Sequence, residues 1–203
     1  MIAPPERSPE RDAALAALLP NVPFDGWSHR ALRAGLASIG VPAEEAELLF
    51  PGGGPDMIEA FCDWADRQME EAAATLPEAP LPARVRAVVA LRLAQNRPHK
   101  EAVRRAIAVL ALPPNARLAA ACTARTVDAI WHAAGDRSTD FAWYTKRAML
   151  AVAYSATLLF WLRDSSEDDA ATLGFLDRRL AGIGRVHRLR RRAEAALGRL
   201  RPA

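Results

Sequence analysis

A chain of 203 residues that is 51% hydrophobic can bury a core as one sizeable domain or two small ones, which excludes disorder throughout. Its cysteines, Cys62 and Cys122, lie far apart without metal-type spacing, so neither a disulfide framework nor a zinc site is indicated. The net charge of +3 conceals a division, because residues 1–80 carry 5 Lys/Arg against 14 Asp/Glu while residues 81–203 carry 22 against 10; two differently employed surfaces are expected, the basic one suited to something anionic such as phospholipid or nucleic acid.

Apolar residues recur at spacings of three and four and no long segment alternates with period two, which predicts an all-α chain of about nine helices plus a C-terminal amphipathic helix. The polar, proline-rich start, MIAPPERSPERD, does not resemble a signal peptide, so an intracellular place in a reducing compartment is expected. A first helix begins after Ser8, with Pro9 in its first turn, and runs to Leu19. Pro20 and Pro23 break the chain before helices at Ser28–Ile39 and Ala43–Leu49. The glycine-rich PGGGP from Pro51 to Pro55 reads as a turn, followed by a long helix over Asp56–Thr75 with Ile58, Phe61, Ala65, Met69 and Ala72 along one face. After the linker LPEAPLP come helices at Ala83–Gln95, His99–Leu110 and Asn115–Ala134.

The next helix spans Asp140–Leu162, and from Ala148 to Leu162 it has fifteen residues without a charge. A membrane span needs about 20 apolar residues, so this segment is expected to be a helix buried on most sides or the wall of an apolar cavity. A helix over Ser166–Leu180 follows, begun by a near capping box in SSEDD and carrying Leu173, Leu176, Leu180 and Ile183 as its core stripe. Beyond Gly182 and Gly184, the segment from Arg185 places Val186, Leu189, Ala193, Ala196, Leu197 and Leu200 on one face, with seven arginines, Arg190 among them, flanking or opposing it. That helix can lie on an anionic membrane surface or pack on the body with its basic face in water.

Catalytic chemistry finds no candidate. His29, His99, His132 and His187 lack ligand spacing, the nearest arrangement being Asp128 with His132, one turn on; no nucleophile elbow or P-loop occurs, and no catalytic residue, metal or cofactor is expected. The helices Ser28–Ile39 and Ala43–Leu49 look like part of a helix-turn-helix, yet residues 44–78 hold ten acids and a single base, Arg67, which opposes a DNA duplex. A transcription regulator sensing a hydrophobic ligand is the alternative these helices leave open.

Four stretches carry a resemblance: VPFDGWSHRAL, LFPGGGPDMIEAF, DAIWHAAGDRSTDFAWYTKRAML and DSSEDDAATLGFLDRRL. On these the chain resembles, over about residues 10–185, the bacterial form of the ubiquinone-biosynthesis accessory family Coq-nine. The resemblance implies a TetR-like, all-helical, dimer-forming fold without DNA binding. It further implies a non-enzymatic protein that holds an isoprenoid quinone intermediate or a phospholipid in an interhelical cavity. Such a protein would work at a membrane surface beside a di-iron demethoxyubiquinone hydroxylase, placing this one in the cytoplasm, peripheral to the inner membrane. The family's partner-binding motif falls here on Asp140, Trp143 and Tyr144, with Arg147 added. The expected divisions are an acidic, helix-turn-helix-like part at 1–80, a lipid-binding helical domain at 81–184 and the basic helix at 185–203.

The apolar residues expected to meet the lipid are Val127, Ile130 and Trp131 before the AGD loop, Met149, Val152, Ala153 and Leu158 after it, and Phe175 further on. Each taken singly also fits plain core packing. Membrane contact is expected from Val186, Leu189, Arg190, Ala193, Leu197 and Leu200.

Overall fold

The computed structural model describes residues 4–136 and 142–182, with Ala142 and Trp143 described in backbone only. Every regular element among them is helical. The chain divides into two compact units, Met1–Arg137 and Ser138–Ala203. The boundary expected near residue 80 lies inside the first unit.

The first unit opens with α1 (Pro9–Leu18), whose N-cap Ser8 accepts a hydrogen bond from the Arg11 amide at 3.1 Å. Pro23, expected to break the chain, instead sits in the first turn of a short helix, α2 (Val22–Asp25), where a missing amide proton costs nothing. Ser28 caps α3 (His29–Ser38) through the Ala31 amide at 3.2 Å, and a six-residue connection leads to α4 (Glu45–Leu49). The long α5 (Gly53–Ala73) begins three residues earlier than Asp56, so part of the glycine-rich turn is helix. Gly53 holds φ +66°, and a Cβ on Gly54 would stand 2.5 Å from the Trp27 carbonyl oxygen; only glycines let the chain turn and approach there.

Then come α6 (Leu81–Asn96), α7 (Lys100–Leu110) and α8 (Ala116–Ala133). Helix α5 runs through the middle of this unit, packing on α1, α6, α7 and α8. Its core stripe is Met57, Ile58, Phe61, Ala65 and Met69, and Phe61 lies against Trp27 with ring centroids 5.3 Å apart. The Trp27 indole N–H donates to the Ala102 carbonyl at 3.0 Å, tying the segment before α3 to α7.

The charge division does not translate simply into two outer faces. Several acids of residues 44–78 take internal partners: Asp56 accepts from Arg11 at 2.6 Å, Asp63 from Arg7 and Arg67, and Glu59 from Arg125 at 2.6 Å. Deepest, Asp66 accepts from Arg92 at 3.1 Å and from the Thr126 hydroxyl at 2.8 Å, linking α5, α6 and α8 inside the core. Burial pushes the Asp66 carboxyl above its usual range, opposed by the Arg92 charge and by these two hydrogen bonds. His132, which the sequence places nearest Asp128, turns to Glu70 of α5 at 3.1 Å.

The second unit holds α9 (Ala142–Trp161), a single 3-10 turn at Glu167–Asp169 and a further helix, α10, over residues 170–182. The start expected at Ser166 is displaced to residue 170 because Asp168 and Asp169 adopt left-handed backbone at φ 51° and 55°. The first turn of α10 is held instead by Asp164, whose carboxylate accepts from the Ser166 amide at 2.8 Å, the Thr172 amide at 2.8 Å and the Thr172 hydroxyl at 2.5 Å. Against a desolvation push upward, those donors hold the Asp164 carboxyl well below the usual carboxylate range. Of the stripe expected on α10, Leu176 is fully buried and Leu173 and Leu180 half-buried; Ile183 lies outside the described residues.

Candidate functional site

The residues singled out by sequence fall on α8, on α9 and on α10. On α8, Val127, Ile130 and Trp131 share one face at spacings of three and four, and all three are buried. Helix α8 packs on α5, α6 and α7 of the first unit, and its Thr126 is bonded to Asp66. The carbonyl of Ala133, at the helix's last turn, accepts from Arg84 at 3.1 Å.

Helix α9 is amphipathic in exposure without being amphipathic in composition. At 100° per residue, Leu150, Ala153, Tyr154, Thr157 and Trp161 form a buried stripe. The opposite side, through Tyr144, Ala148, Val152 and Leu159, faces outward, with Ser155 between them half-buried: Tyr144 is 70% exposed, Val152 72% and Leu159 54%. The helix is therefore open along one uncharged face where the sequence predicts burial on most sides, because greasiness all round says nothing about how many neighbours a helix has. Ala153 at 4% exposure lies on the buried side, adjacent Val152 on the open side, and Met149 and Leu158 are intermediate.

Phe175 of α10 is half-buried and stacks on Phe160 of α9, with centroids 4.7 Å apart and planes 11° apart. The Arg179 guanidinium lies 4.7 Å from the Phe175 ring centre and that of Arg178 5.9 Å. Sequence reasoning did not select Leu159 among the site residues; the spacing Ala148, Val152, Ser155, Leu159 was the available signal.

Among the partner-binding candidates, Tyr144 is exposed and Arg147 half-buried, both in the first turns of α9. Asp140, the Trp143 side chain, and Val186, Leu189, Arg190, Ala193, Leu197 and Leu200 lie outside the described residues. Among the described residues no group of three or more His, Cys, Asp or Glu is placed to hold a metal ion, and no single helix is long and apolar enough to cross a membrane.

The helices carrying these candidates coincide with a family match. Residues 116–187, from the start of α8 past the end of α10, fit the COQ9 family model. The chain is 35% identical over 175 residues to the ubiquinone biosynthesis protein COQ9, mitochondrial, of Homo sapiens, covering 82% of this chain and 55% of that protein. Against the coq9 protein of Schizosaccharomyces pombe the identity is 33% over 175 residues, covering 85% of this chain and 69% of that relative. The chain belongs to the COQ9 family. The Xenopus tropicalis COQ9 protein is 35% identical over 176 residues, again with 55% of it covered, so this COQ9-family chain spans little more than half the length of its vertebrate relatives.

The fold has a second likeness. A TetR transcriptional regulator from Nitrosomonas europaea superposes with a TM-score of 0.69 at 23% identity, covering 86% of this chain and 97% of that one. This COQ9-family chain thus has the TetR-like, all-helical fold. In the helix-turn-helix-like region, α4 carries Glu45 and Glu47 in its first turn, and Glu47 is paired with Arg33 of α3.

Proposed function

We propose that this protein acts in ubiquinone biosynthesis as a lipid-binding accessory protein that catalyses no step itself. In this reading it holds an isoprenoid quinone intermediate or a phospholipid at a membrane surface and presents the quinone precursor to a demethoxyubiquinone hydroxylase. The observation that carries the reading is the open, uncharged face of α9, with exposed Tyr144 at one end and Val152 and Leu159 further along, in a chain whose relatives are named for this pathway. An apolar face of this kind stays costly to hydrate until something apolar covers it, and an isoprenoid tail supplies about 0.8 kcal/mol per buried CH₂. Enclosure of most of the tail is required, since a half-buried chain is held no better than in the bilayer it left.

In the same reading Asp140, Trp143, Tyr144 and Arg147 meet the hydroxylase. An exposed aromatic in a helix's first turn, flanked by cations, combines apolar area with a polar tip and loses little rotamer freedom on docking. The basic segment from residue 185 keeps the protein peripheral on the membrane, and the working form is a homodimer.

Two measurements test this. Mass spectrometry of organic extracts of the purified protein is expected to find an isoprenoid quinone intermediate or a phospholipid in stoichiometric amount; repeated absence of both removes the lipid-binding reading. Tyr144→Ala is expected to weaken capture of the hydroxylase by about 30-fold, as loss of an interface anchor near 2 kcal/mol does, while leaving the helical circular dichroism unchanged. Capture at the parent level would move the partner surface elsewhere. A regulator reading rests on the fold likeness alone and is disfavoured by the acidic α4; it requires salt-dependent binding of duplex DNA.

A further inference from the structure

Near the end of α10, two arginines stand over an aromatic pair at the surface of the second unit. Phe175 stacks almost flat on Phe160 of α9, and Phe160 is itself exposed. The guanidinium of Arg179 lies 4.7 Å from the centre of the Phe175 ring and that of Arg178 5.9 Å, and both side chains are exposed. Among the described residues neither arginine has an acid within ion-pair distance. Beside the stack, the open face of α9 continues through Leu159 to Val152.

Two ordinary roles for these arginines fall short. A cation in the last turns of a helix offsets the helix dipole wherever it lies around the axis; here Phe175, Arg178 and Arg179, at i, i+3 and i+4, gather on one side of α10, with Asp177 on the other. A long side chain can also lie on a ring to shield it from water, yet Phe160 and Leu159 next to this ring stay exposed. A guanidinium resting on a ring face keeps its N–H edges free and its orientation fixed, which is what a pair of phosphate oxygens requires. Aromatic rings below and arginines above compose a surface suited to the boundary between acyl chains and headgroups.

Charge indicates what covers this surface. From Arg178 to the end of the chain the sequence has nine arginines and one acid, Glu194. The patch on α10 therefore opens the most basic stretch of the protein, and its complement is an anionic surface. We propose that the Phe160–Phe175 stack with Arg178 and Arg179 is a membrane contact of the second unit, its partner a bilayer containing anionic phospholipid. The two guanidiniums take lipid phosphates, while Phe160, Leu159 and Val152 meet the upper acyl chains. The contact presupposes the peripheral membrane role proposed above and adds to it a site on folded helices, separate from the segment beyond residue 185. It brings the open face of α9 against the bilayer, so that an isoprenoid tail reaches that face without crossing water.

Co-sedimentation of the full chain with vesicles of equal parts phosphatidylcholine and phosphatidylglycerol tests the contact. Exchanging Arg178→Gln together with Arg179→Gln is expected to weaken partitioning about 30-fold, as loss of two cations at an anionic surface does, with helical circular dichroism unchanged. Arg178→Lys with Arg179→Lys is expected to keep most of the affinity, because the charge remains. Arginine-directed labelling with phenylglyoxal gives a second measurement on the parent chain: vesicles are expected to shield Arg178 and Arg179, while Arg30 of the first unit, 83% exposed, reacts as before. Partitioning of the glutamine pair at the parent level, or equal labelling of Arg178 and Arg179 with and without vesicles, would overturn this contact alone and leave the terminal segment as the anchor. A parent chain that fails to sediment with these vesicles would remove the membrane reading altogether. Dissociation of a dimer by the glutamine pair, with partitioning unchanged, would make the patch an interface between copies and overturn the contact as well. Should the glutamine pair fail to fold, the labelling of the parent chain decides.

Discussion

Replacing Arg92 by methionine is expected to lower the unfolding free energy by about 3–5 kcal/mol, the usual cost of stranding one partner of a buried ion pair. Arg92 is 3% exposed and Asp66 6%, so neither can turn to water when the other is removed. The Thr126 hydroxyl remains as a donor to Asp66, and a single neutral donor cannot replace a guanidinium. Urea denaturation at pH 7 measures the loss, and a change below about 1 kcal/mol would show the pair to be electrostatically idle.

The pH dependence of that variant has a definite sign. Asp66 is raised above its unfolded value, so between the two values the folded state binds more protons and stability falls as pH rises. The cost of ionising it is absent below the unfolded value and fully present above the folded one. Without Arg92 the first opposing influence disappears, the folded value climbs further, and the destabilisation shrinks as pH is lowered through that widened window. A loss that is equal at pH 5 and pH 7 would contradict this account.

Gly35→Ala and Gly174→Ala are expected to act in opposite directions although both put alanine inside a helix. A Cβ at Gly35 would stand 2.5 Å from the Ala17 carbonyl oxygen, 2.7 Å from its carbon and 2.9 Å from the Leu18 nitrogen. These are backbone atoms of α1, so α1 and α3 must separate along their contact, at about 1–3 kcal/mol. At Gly174 the nearest atom is the tip of Arg178 at 3.6 Å, and the helix gains about 1 kcal/mol from the better propensity of alanine. Thermal melts of the two variants separate them; a shared sign would mean that the close approach of α1 and α3 has no energetic content.

Ser8 and Ser28 cap the helices where the sequence predicts, and the all-helical class follows from the three-and-four spacing, because both signals act within a turn or two of chain. The family was legible too, in AGDRSTDFAWYTKR and its neighbours. Local rules failed where a distant contact decided the backbone. The early start of α5 depends on the Trp27 carbonyl meeting Gly54, and the late start of α10 on Asp164 reaching forward to Thr172.

By itself, then, the sequence determined which segments are helical, where most of them begin, and which family the chain joins. Only the tertiary structure decided that Val152 faces out while Ala153 faces in, and that Asp66 and Glu59 of α5 are answered by Arg92 and Arg125 from the basic part of the chain. Periodicity reports how side chains are distributed around one helix axis; exposure and ion pairing depend on which other helix arrives at that axis, a property of contacts between residues dozens of positions apart.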